Sequence, residues 1–151
     1  MAYSTIPAAK TALLVALQAV PGLADVLVDR GLPVDQPPAT ERVYIDNAVD
    51  ITRDWMMLGR KRLDESYTLR IHVEVYQSGD DQAACEDRLW EIVALVEQAT
   101  IADLTLGGLL NGNTGRPSGV LPGGIEDQNS FAAPDGWISH AVLRIDCAAR
   151  I

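Results

Sequence analysis

Apolar and polar side chains alternate between residues 65 and 76, and this alternation constrains the fold more than any other stretch of the chain. The apolar set is Tyr67, Leu69, Ile71, Val73 and Val75, and the polar set is Thr68, Arg70, His72 and Glu74. A period of two places the two sets on opposite faces of a β-strand. The sequence therefore predicts a strand with one buried face and one polar face.

Shorter strand patterns precede this segment, at 24–30, 42–46 and 51–58. The turn GlyArgLysArgLeuAsp at 59–64 joins the last of them to the long strand, which predicts a hairpin. Three cations lie at its tip, namely Arg60, Lys61 and Arg62. The tip is open to three interpretations: a solvated turn, a contact with an acidic protein surface, or a phosphate contact. Arg53 and Trp55, on the strand before the tip, are candidates for a subunit contact, although an apolar group such as Trp55, Met56 and Met57 at the base of a hairpin more often belongs to the core.

Two helices are predicted from spacings of three and four residues. The first starts at the SerThrIlePro segment 4–7 and ends at Pro21. The second follows the capping turn 78–81, and its apolar residues are Cys85, Leu89, Ile92, Val96 and Ala99.

The C-terminal half contains a segment rich in glycine, asparagine and proline, followed by a strand from Trp137 to Ile151. We expect residues 107–136 to form a long glycine-rich loop that is mobile or ordered by a partner. In the last strand His140, Arg144 and Asp146 share the polar face, whereas Cys147 lies on the apolar face. We therefore expect both cysteines, Cys85 and Cys147, to be reduced thiols in the core.

This order of elements predicts an α+β fold in a single domain spanning residues 1–151. We expect a mostly antiparallel sheet of four to five strands with two helices packed on one face. Hydrophobic residues make up 48% of the chain and charged residues 22%, which is typical of a folded globular domain.

The charge balance and the absence of known motifs argue against most chemical functions. The net charge of -9 disfavours specific nucleic-acid binding, and no stretch is long and apolar enough for a membrane helix. The glycines form no phosphate-binding loop, and the GxSxG and HExxH patterns are absent. We therefore predict no enzyme activity, no catalytic residue, no cofactor and no bound metal.

One constellation supports a different hypothesis. If the long strand and the last strand were neighbours, His72, Glu74 and His140 could together form a metal or ligand site. The alternative is that these side chains, with Arg70, Arg144 and Asp146, lie on a polar sheet face that a second subunit covers.

Four segments of the chain resemble the tail terminator, or tail-completion, family of long-tailed bacteriophages (minor tail protein U-like). They are the helical opening at 6–17, the ArgValTyrIleAsp strand at 42–46, the strand 67–76 leading into the helix at 80–93, and the closing AlaValLeuArgIleAspCys strand at 141–147. The similarity spans nearly the whole chain. It is a similarity in the order of elements and contains no diagnostic signature.

The resemblance implies a structural virion protein of the tail or neck, assembled in the host cytoplasm. It implies a hexameric ring on the end of the tail tube that stops tube polymerisation and provides the head-joining surface. The implied partners are further copies of the chain, the tail tube protein and a head–tail connector protein, with DNA passing through the ring. Another head–tail neck or completion protein is the nearest alternative.

Overall fold

Two helices and six strands make up the part of the chain that the computed structural model describes, which comprises residues 4–31, 40–56, 62–103 and 119–150. In chain order they are α1 (Ile6–Gln18), β1 (Leu27–Arg30), β2 (Glu41–Ile45), β3 (Asp50–Met56), β4 (Arg62–Ser78), α2 (Gln82–Ala102), β5 (Gly119–Ala133) and β6 (Gly136–Arg150). A short 3-10 turn at Pro21–Leu23 follows α1. Neither helix is long and apolar enough to cross a bilayer.

All six strands belong to one sheet with the order β1-β2-β4-β6-β5, and β3 also pairs with β4. Every pairing is antiparallel except that of β1 with β2, which is parallel. The predicted α+β class with a mostly antiparallel sheet is confirmed. The predicted number of four to five strands is too low, because the glycine-rich segment contributes a strand that sequence reasoning did not assign.

β2 and β3 lie end to end along the same edge of β4. β2 pairs with positions 71–75 of β4 and β3 with positions 62–68. The segment 46–49 between them is held by Lys10, whose Nζ donates to the carbonyls of Asp46 and Asn47 at 3.0 and 3.2 Å. Burial lowers the pKa of Lys10 and the nearby Arg30 adds to this effect, while the Asp46 carboxylate opposes it. Through Lys10, α1 thus fixes the position of the segment that separates β2 from β3.

The core lies between the two helices and one face of the sheet. The apolar row of β4 that the sequence predicts is 0–3% exposed, and the apolar positions of α1 and α2 pack against it. The Asp81 side chain caps α2 by accepting a hydrogen bond from the Ala84 N–H. Both cysteines are buried, and burial raises the pKa of the Cys147 thiol to about 12. The interpretation of Cys85 and Cys147 as core thiols is confirmed.

The predicted loop at 107–136 is wrong for its second half. Residues 119–133 form β5, a tight turn follows at Pro134 and Asp135, and β6 begins at Gly136. Gly124 has a φ of +85° beside two register shifts in the β5–β6 ladder, so it marks β-bulges and not a loop. At Gly136 a side chain would collide with the Gln77 carbonyl. The part of the predicted loop at 107–118 lies outside the described residues, as does Ile151.

Candidate functional site: the polar sheet face and the β3 edge

The structure brings six of the predicted interface residues together on the sheet face opposite the helices. They are Arg70, His72 and Glu74 of β4 and His140, Arg144 and Asp146 of β6. In the strand register Glu74 lies opposite His140 and Arg70 lies opposite Arg144. β2 extends the same face with its own polar side chains, because Arg42 lies opposite Glu74 and Tyr44 opposite His72.

A hydrogen-bonded chain of three side chains crosses the middle of this face. His72 Nε2 is 3.0 Å from Asp46 Oδ2, and His72 Nδ1 is 3.0 Å from His140 Nε2. The Tyr44 ring stacks parallel on His72 at a centroid distance of 4.8 Å. When His72 donates from Nε2 to Asp46, its Nδ1 can accept from His140. The chain therefore fixes a tautomer for each ring.

The environment shifts the pKa of the two ends of this chain. Burial and, to a smaller extent, the neighbouring His72 lower the pKa of His140, against the attraction of Glu74 and Asp127. Burial alone would raise the pKa of Asp46, but hydrogen bonds from the Ala48 N–H and from His72 outweigh it and the pKa is lowered. Asp46 therefore stays a carboxylate that orients His72.

Glu74 is already engaged by β2. Its carboxylate forms an ion pair with Arg42 and accepts a hydrogen bond from the Tyr44 hydroxyl at 3.3 Å. Burial, and next the Glu74 charge, raise the pKa of Tyr44 to about 12. The structure therefore places His72 and His140 in contact but directs Glu74 towards Arg42. Within the described ranges no group of three or more His, Cys, Asp or Glu side chains is arranged to hold a metal ion.

Arg70 links three strands on the same face. Its guanidinium binds Glu126 of β5 at 2.7 Å and Asp50 of β3 at 2.8 Å. Glu126 lies at a register shift of β5, between Ile125 and Asp127, which directs its carboxylate across the sheet. The two hydrogen bonds raise the pKa of Arg70, and Arg70 lowers the pKa of Glu126. Sequence reasoning placed 126 in a loop and so missed this residue.

Arg144 and Asp146 form a third, more exposed group. The Asp146 carboxylate accepts hydrogen bonds from the Thr68 hydroxyl at 2.8 Å and from Arg144 Nε at 3.0 Å. Because the side chains of the ion pair are 46% and 41% exposed, solvent screens most of its attraction.

β3 carries the second candidate surface. The described side chains of this strand, from Asp50 to Trp55, are all exposed, and they include the apolar Ile51 and Trp55 at 46% and 67%. β3 pairs with β4 along seven positions on one side, and no strand within the described residues pairs with its other side. Arg60 and Lys61 of the predicted cationic tip lie outside the described residues. Arg62 begins β4, and only its backbone is described.

Arg53, the remaining predicted interface residue, binds a buried carboxylate. Its Nε and Nη2 donate to Glu65 Oε2 at 2.9 and 2.6 Å. Glu65 Oε1 accepts from the Ser4 hydroxyl and from the hydroxyl and backbone N–H of Thr5. Burial alone would raise the pKa of Glu65, but the hydrogen bonds from Thr5, Arg53 and Ser4 outweigh it, and the pKa is lowered.

Glu65 thus ties β3, β4 and the start of α1 to one another. Sequence reasoning missed this role, although a signal was present. Glu65 is an acidic residue in register with the buried apolar row that continues at Tyr67. A carboxylate at such a position requires several donors, because an unpaired buried charge is costly.

Comparison with known proteins finds similarity among solved structures. No protein-family profile matches the sequence. No curated protein matches it either. Among solved structures, a chain from "Virion of native gene transfer agent (GTA) particle" is similar, with 15% sequence identity and a TM-score of 0.48 over 98% of this chain and 100% of that chain.

Proposed function

We propose that this chain is a structural virion subunit that forms a ring on the end of a phage tail tube, stops its polymerisation and provides the surface for joining the head. The resemblance noted in the sequence supports this function. The observation that carries it is β3, a strand whose described side chains are all exposed and include Ile51 and Trp55.

An edge of this kind favours assembly for a physical reason. A strand with unpaired N–H and C=O groups is a template for pairing with another chain, and monomeric proteins usually protect such edges. Charged inward-pointing residues or a covering loop are common protections. β3 does carry charged residues at positions 50, 53 and 54, but it also presents the apolar Ile51 and Trp55 to solvent. Large aromatic residues are enriched where proteins contact one another. The edge is therefore suited to being covered by a neighbour.

The polar face suits the same role in a different way. Its cations and carboxylates neutralise one another, as in the pairs Arg42–Glu74 and Arg70–Glu126. The chain as a whole carries a net charge of -9. A ring through which DNA passes has to avoid dense unpaired cations, because these would bind the phosphates and retain the genome. An acidic subunit in which the arginines of the polar face are paired with carboxylates fits this requirement.

The first test is assembly of the purified protein. We expect light scattering coupled to size exclusion, together with negative-stain electron microscopy, to show closed rings at high concentration. Trp55→Ser should shift the population towards monomers. Trp90→Ser is the matched control, since Trp90 is an exposed tryptophan on α2 at 41%, away from β3. A protein that stays monomeric under all conditions would contradict the proposal.

The second test separates a tail terminator from another neck or completion protein. The protein is mixed with growing tubes of the tail tube protein, and tube lengths are measured by electron microscopy. A terminator shortens the tubes and appears as a ring at one end. A ring that leaves tube length unchanged and binds only the head connector would favour the alternative.

A further inference from the structure

The two outer edges of the sheet fit one another when copies lie side by side. We propose that β3 of one copy pairs with the end of β5 of the next copy, so that one antiparallel sheet continues from subunit to subunit. This inference rests on the proposed function, because it specifies the contact by which the ring would form.

The strand directions allow this pairing without any rearrangement. β3 is antiparallel to β4, β4 to β6, and β6 to β5. β5 consequently runs opposite to β3. If the next copy has the same orientation, its β5 lies antiparallel beside β3, which is the more stable type of pairing. Neither outer edge is paired with another strand in the parts of the chain that the structure describes.

β1 limits how β5 of the neighbour can be placed. β2 and β3 lie end to end beside β4, and β1 occupies the outer side of β2 down to the level of Ile45. A strand that pairs with the outer side of β3 would run into β1 if it continued past β3, so it has to end near Asp50. β5 ends in this way, since the chain reverses at Pro134 and Asp135 directly after Ala133. This arrangement sets Ala133 opposite Asp50.

The register that follows pairs two segments of equal length. β3 has seven residues, from Asp50 to Met56. Beyond its last register shift, β5 pairs regularly with β6 from Asp127 to Ala133, which is also seven residues. The full set of opposing positions is Asp50 with Ala133, Ile51 with Ala132, Thr52 with Phe131, Arg53 with Ser130, Asp54 with Asn129, Trp55 with Gln128, and Met56 with Asp127.

This register also matches the two faces and the charges. Directly opposed residues of an antiparallel pair lie on the same face of the sheet. Thr52 is opposite Ser66 and Phe131 is opposite Ile138, so Thr52 and Phe131 both lie on the polar face. No two like charges oppose one another, and the exposed apolar Ile51 gains cross-strand contact with Ala132. Moving β5 by two residues towards β1 would instead set Asp54 against Asp127, which like-charge repulsion disfavours.

The pairing has a geometric consequence for a ring. Asp54 lies opposite position 64 of β4, whereas Asn129 lies opposite His140 and, through it, position 74 of β4. Successive copies are therefore displaced along the strands by ten positions (74 minus 64), or about 33 Å. In a closed ring the strands then run obliquely to the ring axis.

Disulfide trapping tests the register directly. Asp54→Cys and Asn129→Cys are exposed single variants, and so are Ile51→Cys and Ala132→Cys. The two pairs fall on opposite faces, so they sample both kinds of antiparallel site. On mild oxidation we expect mixed dimers from each pair, identified by mass spectrometry of the linked peptides. The double variant Asp54→Cys with Asn129→Cys should give a ladder of cross-linked subunits that ends at the ring size.

Three controls define the outcomes. Gln98→Cys on α2 is exposed and should cross-link no faster than random collision. Asp54→Cys mixed with Asp127→Cys tests a register displaced by two and should cross-link at least about tenfold more slowly. The wild type, whose Cys85 and Cys147 are buried, should not cross-link.

Dimers formed by Asp54→Cys alone would indicate a twofold β3–β3 contact and would overturn the inference. Rings in electron micrographs without cross-links at these pairs would overturn the β3–β5 contact but leave the proposed function standing. Monomers without cross-links would overturn both.

Discussion

The two faces of β4 are held in place by different interactions. On the helix side Leu69, Ile71 and Val73 have no exposed surface. On the other side the side chains of Arg70, His72 and Glu74 are 17–21% exposed, and each is bound to a charged or aromatic neighbour. The comparison indicates that burial of apolar surface provides most of the folding free energy, whereas the polar face can change with small cost to the fold.

Typical magnitudes support this separation. Burying a large aliphatic side chain contributes about 1.5–3 kcal/mol. An ion pair that is partly open to solvent contributes roughly 0–1 kcal/mol. The network on the polar face therefore orients side chains more than it stabilises the sheet. Variants of the two faces should show this difference directly.

The largest expected effect comes from the helix side. Ile71→Ala removes a fully buried side chain and leaves a cavity between the sheet and the helices. We expect a loss of about 2–5 kcal/mol in the free energy of unfolding, measured by urea denaturation.

Ile51→Ala is the matched control, because Ile51 is 46% exposed at the β3 edge. In the monomer we expect it to cost less than about 1 kcal/mol. Equal losses for the two variants would show that the β3 end is packed like the core, and this would contradict the exposed-edge description.

The same contrast explains what could be predicted from the sequence. The helix-facing row of β4 was identified correctly because five apolar residues at period two have few other arrangements. The polar row was placed on one face for the same reason. Its partners were not identified, because the contacts of Arg42 with Glu74 and of Glu126 with Arg70 depend on strand order and register. β5 was missed because Pro122 and Gly124 resemble loop residues when they occur at bulges.

An intermediate effect on stability is expected at Glu65, which combines features of both faces of β4. Its side chain is fully buried on the helix side, yet it is stabilised by hydrogen bonds, as on the polar face. Glu65→Gln keeps the shape but exchanges a charged acceptor for an amide that places N–H groups against donors. We expect a loss of roughly 1–3 kcal/mol in the free energy of unfolding.

The pH dependence separates the charge of Glu65 from its shape. Because the pKa of Glu65 is lower in the folded state than in the unfolded chain, the carboxylate contributes its stability above the unfolded pKa of about 4.3. That contribution is lost as the pH falls through the folded pKa. The wild type should lose stability more steeply than Glu65→Gln below about pH 4.3. Parallel curves in urea titrations from pH 7 to 3 would show that the carboxylate charge has no such role.

The smallest effect is expected at His140 on the polar face, and its pH window differs from that of Glu65. The pKa of His140 is lowered by burial and then by His72, so the folded state holds its proton less tightly than the unfolded chain, whose pKa is about 6.5. Stability should therefore decrease as the pH falls from above 6.5 towards the folded pKa, and then level off.

The hydrogen bonds of the His72 and His140 rings indicate where the added proton is held. The Asp46–His72–His140 chain keeps both of its hydrogen bonds with one added proton, which His140 can take at Nδ1. NMR titration of the His140 ring signals should therefore show this proton taken up at a pH below the ordinary histidine pKa. His140→Gln should remove the stability change that begins near the unfolded histidine pKa of about 6.5, while leaving the steeper loss below about pH 4.3 intact. A stability curve that His140→Gln leaves unchanged would show that the contact between the rings does not couple protonation to folding.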